Sequence, residues 1–304
     1  MGPRATGTVW PAGLSPWRPS RVVPQTCVDG SCATDPGGSE GEGQVSEYPF
    51  VYAIGSIAVR FPSLGVEKEF VQATGRRDTA GLTDQQALQG VLSEPQNRYI
   101  SRQVCWVLSI EGLDTYILQP REAADYDLLL EAVRANPDAD DVDVVIGLRG
   151  PLAPPSMCNG LTVPLVSFSQ IYSFDRASFF EAVPIPDRKD AEPFRNAVRS
   201  TFNSFLRVAD NAGATDEHRA LNYLATRYPA VYERASAQLD RNFSLTAVET
   251  TGSRLSGARR LVNVALVFTH RQTQEVERYS VRVDVTEEFP FLSSPLALAP
   301  YIDR

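Results

Sequence analysis

Hydrophobic and polar positions divide the chain into two regimes. Residues Met1 to Glu47 are rich in Gly, Pro, Ser and Thr with no sustained apolar period, the composition of a flexible arm. From Tyr48 onward the apolar residues fall at the spacings of packed elements. The run VYAIGSIAVRF (Val51 to Phe61) alternates as a strand, and TDQQALQGVL (Thr83 to Leu92) reads as a helix with Thr83 as N-cap. YISRQVCWVLSI (Tyr99 to Ile110) reads as a strand, with Gly112 and Asp114 marking a hairpin turn before TYILQP. Acidic residues early in Arg121 to Arg134, followed by Leu128, Leu129, Ala132 and Val133 on one stripe, predict an amphipathic helix. Asp141 to Gly150 has the apolar run of a buried strand, and PLAPPSMCNG is a loop punctuated by proline.

The second half continues the mixture. Leu161 to Phe174 reads as a strand, a helix is expected from about Glu192 to Asp210, and another from about Thr215 to Leu239, divided at Pro229. Ser244 to Thr251, Arg259 to His270 and Val276 to Thr286 are β-rich stretches separated by polar turns, most simply an antiparallel meander. The expected fold class is therefore α+β, a mixed or antiparallel sheet with packed helices over residues 48–304, preceded by a disordered arm over 1–47. A division near residue 185 is the alternative.

Composition narrows the function classes. A chain of 304 residues with 43% hydrophobic positions can bury a substantial core, and it holds no apolar run of membrane length. The net charge of −8 argues against a general nucleic-acid binder, which needs a basic face, although Arg254, Arg259 and Arg260 form a local cluster. Lys68 and Lys189 are the only lysines among 29 basic residues, a bias that fits a GC-rich genome better than selection for phosphate binding. Four cysteines are too few for a secreted disulfide scaffold, and the N-terminus lacks the features of a signal peptide, so a cytoplasmic protein is expected.

Chemically capable residues are sparse. Cys105, Cys158 and His218 make a thiolate and imidazole set of the kind Zn²⁺ favours, with Asp216, Glu217 or water as a fourth ligand. Against it, Cys105 between Val104 and Trp106 has the setting of a buried thiol that acts as a small hydrophobe. Cys158 and His218 could instead form a nucleophilic pair, with Asn159 or Asn222 orienting the imidazole. Cys27 and Cys32, in CVDGSC, lack a nearby histidine and read as free thiols. In TDEHRA, Thr215 or Asp216 is a natural N-cap and Glu217 complements the helix dipole. Asp138, Asp140, Asp141 and Asp143 read as a solvated turn. No Gly-x-Ser-x-Gly elbow, dinucleotide fingerprint or P-loop occurs.

Four long words stand out: RQVCWVLSIEGLDTYILQPRE (102–122), GLRGPLAPPSMCNGLTVP (147–164), ADNAGATDEHRALNYLATRYP (209–229) and RVDVTEEFPF (282–291). In this order they resemble the C-terminal domain of unknown function of the cyanobactin maturation proteases of patellamide-type pathways. The resemblance implies an accessory role in making a ribosomal, post-translationally modified peptide, with the precursor peptide and the modifying enzymes as partners. It leads to a peptide-binding or scaffolding protein whose sheet edge accepts an extended precursor. A zinc- or cysteine-dependent enzyme of the same pathway and a structural oligomerisation module are the alternatives, and a homodimer is a further expectation.

Overall fold

β1 (Phe50–Arg60) belongs to two ladders in succession. Its first half pairs antiparallel with β4 (Asp141–Leu152), ending with Gly55 opposite Asp143. From Ser56, opposite Ser109, it pairs instead with β2 (Cys105–Ile110). β2 returns as β3 (Leu113–Pro120) through Glu111 and Gly112, whose φ values of 51° and 80° are those a type I′ hairpin turn demands. β3 runs parallel to β5 (Pro164–Asp175), and β5 closes antiparallel on β4. The result is a closed barrel of order β1-β2-β3-β5-β4, with helix α4 (Asp125–Ala132) bridging β3 and β4. That order and helix placement define an OB-type barrel.

The computed structural model describes residues 49–75, 82–186, 190–208, 210–252 and 259–299. The arm expected over 1–47, with Cys27 and Cys32, lies outside them. Alternate residues of each strand fill the barrel, among them Val51, Ala53, Trp106, Tyr116, Val145 and Phe168. Trp106 donates its indole N–H to the Ser101 carbonyl at 2.9 Å, which anchors β2 from inside.

The crossing of β1 from one ladder to the next has a steric and a polar requirement. A Cβ on Gly55 would lie 2.3 Å from the Ser109 carbonyl oxygen, so a side chain there would force the strands apart. Leaving β4 deprives Ile57 of a ladder acceptor, and Asp143 supplies one: its carboxylate accepts from Ile57 N–H at 2.7 Å and from Ser173 Oγ at 2.6 Å. Asp143 is only 2% exposed, and burial pushes its carboxyl above the usual range against the pull of these hydrogen bonds and of Arg134. The solvated turn expected for this residue is thus a buried junction.

Helices α1 (Leu64–Gly75), α2 (Asp84–Ser93) and α3 (Arg98–Ser101) lie between β1 and β2. Thr83 caps α2 as expected, in a reciprocal capping box with Gln86. Tyr99 to Ser101, read as strand, are helical instead, because Pro95 starts a helical turn and Ile100 is buried on its inner side.

After α5 (Arg176–Ala182) comes a second layer: α6 (Ala191–Leu206), α7 (Asp216–Arg227) and α8 (Ala230–Asp240), divided from α7 at Pro229. They pack on a four-stranded antiparallel meander, β6 (Phe243–Gly252), β7 (Leu261–His270), β8 (Val276–Asp284) and β9 (Phe291–Leu298). Phe194, Phe202, Phe205, Leu224 and Tyr232 meet Val264, Leu266 and Val281 in its core. The class is α+β, as the periodicity predicts. The fourth strand is additional to the three β stretches expected, and it contains Pro295, which an edge strand tolerates. Glu277 on β8 ties down the end of α8, accepting from both Arg241 Nη atoms at 2.6 and 2.8 Å, from Gln238 Nε2 at 2.6 Å and from Tyr279 Oη at 3.0 Å. These bonds, led by Arg241, hold its carboxyl at about 2.

Two outcomes are expected. Asp143→Ala strands the Ile57 N–H and Ser173 hydroxyl and should lower unfolding free energy by roughly 2 kcal/mol, read by urea denaturation; an unchanged midpoint refutes the junction role. Because the Glu277 carboxyl is depressed, its stabilisation is present above the ordinary carboxylate range and is lost as pH falls from 4.5 toward about 2. Glu277→Gln should therefore be less stable than the wild type at pH 7, with the difference shrinking in urea titrations at pH 3.

Candidate functional site

The first half of β1 has β4 on one side and no strand on the other, so its outward backbone groups need partners. Residues 211–222 provide them. Tyr52 N–H donates to the Gly213 carbonyl at 2.9 Å, and Asn222 Nδ2 donates to the Tyr52 carbonyl at 2.7 Å. Gly213 has φ of 71°, and a Cβ there would sit 2.3 Å from the Tyr52 oxygen. The Asn222 and Asn211 amides are reciprocally bonded at 2.8 and 3.1 Å, and Tyr52 Oη meets Thr226 Oγ1 at 2.7 Å. Tyr116 reaches out of the barrel to the Ala212 carbonyl at 2.9 Å. The most distinctive word in the sequence is the seam between the barrel and the helical layer.

The start of α7 extends this seam to the far sheet. Thr215 is the N-cap, accepting from His218 N–H at 3.1 Å. Arg219 is fully buried and donates to the carbonyls of Val285 at 2.7 Å, Glu288 at 3.2 Å and Glu287, with its guanidinium 5.1 Å from the Phe50 ring centroid. Burial is the main cause that lowers its pKa to about 10, which leaves it charged at neutral pH. Asp216 lies 3.5 Å from both Arg219 and Arg260, although burial still pushes its carboxyl up. The Glu288 carboxylate accepts from Arg121 Nη2 at 2.9 Å and from Ser169 Oγ, joining the β8–β9 loop to β3 and β5. TDEHRA, TEEFPF and the end of the Arg102–Glu122 word thus converge on one network.

Above the barrel rim a cleft of about 680 Å³ opens between β1, the β2–β3 turn, the start of β4 and the end of α6. Ser56, Ser109 and Asn203 line it together with Asp141, Arg176 and Arg207. Its walls mix these polar and charged groups with apolar side chains, among them Ile54, Ile110 and Leu206.

Of the three expected metal ligands, two meet. Cys105 and Cys158 form a disulfide with a Cα–Cα separation of 6.0 Å. The loop 153–163 folds over the outer face of β2 and β3, where both cysteines are buried among Val107, Ile117 and Ala153. His218 is elsewhere. Cys105 is opposite Arg60 at the end of β1, whereas the segment flanking His218 is bonded to Tyr52, about 26 Å back along the strand at about 3.3 Å per residue. Among the described residues no three His, Cys, Asp or Glu side chains cluster to hold a metal ion. The set offers Zn²⁺ two sulfurs, available only when reduced, and no third donor. The same separation keeps Cys158 and His218 from acting as a nucleophile and base. The His218 imidazole has its pKa lowered by burial, and its Nδ1 has no hydrogen-bond partner among the described residues.

The model of the PatG domain family matches residues 50–251, two thirds of the chain. The chain belongs to the PatG domain family. A solved structure described as the PatG domain of unknown function superposes with a TM-score of 0.67 at 19% identity, covering 83% of this chain and 99% of that one. At that identity the likeness is one of fold. No curated protein matches the chain. Membership associates this PatG domain with cyanobactin-type ribosomal peptide biosynthesis.

Sequence reading missed Arg219, Glu288, Arg121 and Ser169 as a group, because each word looks locally like a cap, a turn or a strand end. The signal available was an arginine four residues past the N-cap Thr215, next to the apolar Ala220 and Leu221. Arg219→Met should cost about 3 kcal/mol or more, leaving three carbonyls without their donor. Arg219→Lys should recover little, since one ammonium cannot serve a planar fan of acceptors and an aromatic face. Chemical denaturation of both variants is the check, and wild-type stability in Arg219→Met contradicts the network.

Proposed function

We propose that this PatG domain is an accessory protein that binds the precursor peptide of its pathway as an added strand and presents it to the modifying enzymes in the cytoplasm. The observation that carries this reading is the state of the sheet edges. The barrel is closed, and the half of β1 that faces no strand is already occupied by Gly213 and Asn222. β9 is a poor template: Pro295 lacks a donor, and Leu296 N–H is already given to Tyr228 Oη at 3.1 Å. β6 is ten residues long, free of proline and carries three threonines, and among the described residues its backbone pairs with β7 alone. An extended peptide gains main-chain hydrogen bonds along such an edge, with alternate side chains providing selectivity.

Calorimetry with the full precursor and with its leader and core halves should show micromolar or tighter binding, since an extended segment must offset its own ordering entropy. Hydrogen exchange should slow along β6 and not along β9. Absence of heat with every fragment, well above micromolar concentration, refutes the proposal. A covalent mass change in the same mixtures supports an enzyme instead.

A further inference from the structure

In an OB-type barrel the outer face of the second and third strands, flanked by the connection between the fourth and fifth, is the surface generally open to ligands. Here it is shut. Loop 153–163 lies on it, burying Cys105 and Val107 of β2 and Ile117 of β3 under Ala153 and Cys158, with Met157, Leu161 and Val163 at the margin. The loop's backbone hydrogen bonds are its own: Ala153 to Val163 at 2.9 Å, Met157 to Pro154 at 2.9 Å, Gly160 to Pro155 at 2.8 Å and Leu161 to Cys158 at 2.9 Å. Among the described residues no backbone–backbone hydrogen bond joins the loop to β2 or β3, and the Met157 carbonyl lies 3.5 Å from Cys105 Sγ. Pro154, Pro155, Ser156, Asn159 and Gly160 face solvent. What fastens the loop to the barrel is therefore a small apolar contact and one covalent bond, between residues 53 positions apart.

The strands beneath have other support. β2 is held by ladders to β1 and β3 and by the Trp106 indole inside the barrel, and the loop's two ends are clamped where Leu152 pairs with Pro164. Loss of the disulfide frees the loop without removing a strand.

We propose that Cys105–Cys158 is a redox latch: reduction by a dithiol releases loop 153–163 and uncovers an apolar face on β2 and β3. In the exchange a thiolate of the dithiol attacks one cystine sulfur, and its second thiol resolves the mixed disulfide. Two electrons pass to the cystine, the dithiol becomes a disulfide, and Cys105 and Cys158 each end as a thiol. The latch is independent of peptide binding at β6, since it acts on the opposite sheet.

The test uses full-length protein. Maleimide labelling with peptide mapping should leave Cys105 and Cys158 unmodified before reduction and label both after dithiothreitol. Met157 supplies the readout of loop position, because the only other methionine is Met1. Its oxidation by peroxide should be at least tenfold faster in Cys158→Ala than in the wild type, while exchange of β2 and β3 amides stays slow. In wild-type protein under dithiothreitol, the amides of Met157, Gly160 and Leu161 should exchange at least tenfold faster, which reports on the loop without relying on a variant. Labelling of both cysteines before reduction overturns the latch. So does unchanged Met157 oxidation together with unchanged loop exchange, or a loss of protection throughout the barrel on reduction.

Discussion

The structure depends on how the outward backbone of β1 is satisfied at Tyr52. A strand shared between two ladders leaves a row of amides and carbonyls facing no strand, and buried groups of that kind cost about 1–3 kcal/mol each when unpaired. Gly213 and Asn222 take the place of the absent strand. Because they lie just before and within α7, satisfying β1 also sets that helix against the barrel. α7 in turn carries Leu221 and Leu224 into the core of the four-stranded sheet. Barrel and sheet are thereby placed by a few polar contacts.

Buried polar groups recur at each junction for the same reason. Asp143 stands where β1 leaves β4, Arg219 where α7 meets the β8–β9 loop, and Glu288 where that loop meets β3 and β5. Apolar packing is tolerant of small slips, whereas a guanidinium fanned over carbonyls or an amide held at 2.7 Å accepts one register. The carboxylates and the guanidinium at these junctions are all occupied in this way. The architecture spends its carboxylates and guanidiniums on position.

Among the described residues the surface keeps an open cleft of mixed lining, one clear sheet edge and a covered barrel face. A fold of this kind hosts many activities, so the barrel alone assigns none. Family membership supplies the pathway, and the β6 edge, paired on one side only among the described residues, is the place where the proposed peptide strand adds. The disulfide adds a way to alter a different surface without altering that edge.

Local pattern was sufficient for most elements. Period-two alternation identifies β1, an apolar run identifies β4 and β-rich composition β7, Thr83 marks the start of α2, and Pro229 divides α7 from α8, because each depends on neighbours a few residues away. Where a single element contradicts its local signal, tertiary packing decided it: Ile100 turns inward as helix, and Pro295 is accepted in β9 because that strand lies at an edge. The site was less legible. The sequence named Cys105, Cys158 and His218 as chemically capable, yet closure of the barrel brought two of them together across 53 residues and left the third on another face. Residue type determines what a side chain can do; only the path of the chain through a closed barrel determines which side chains it meets.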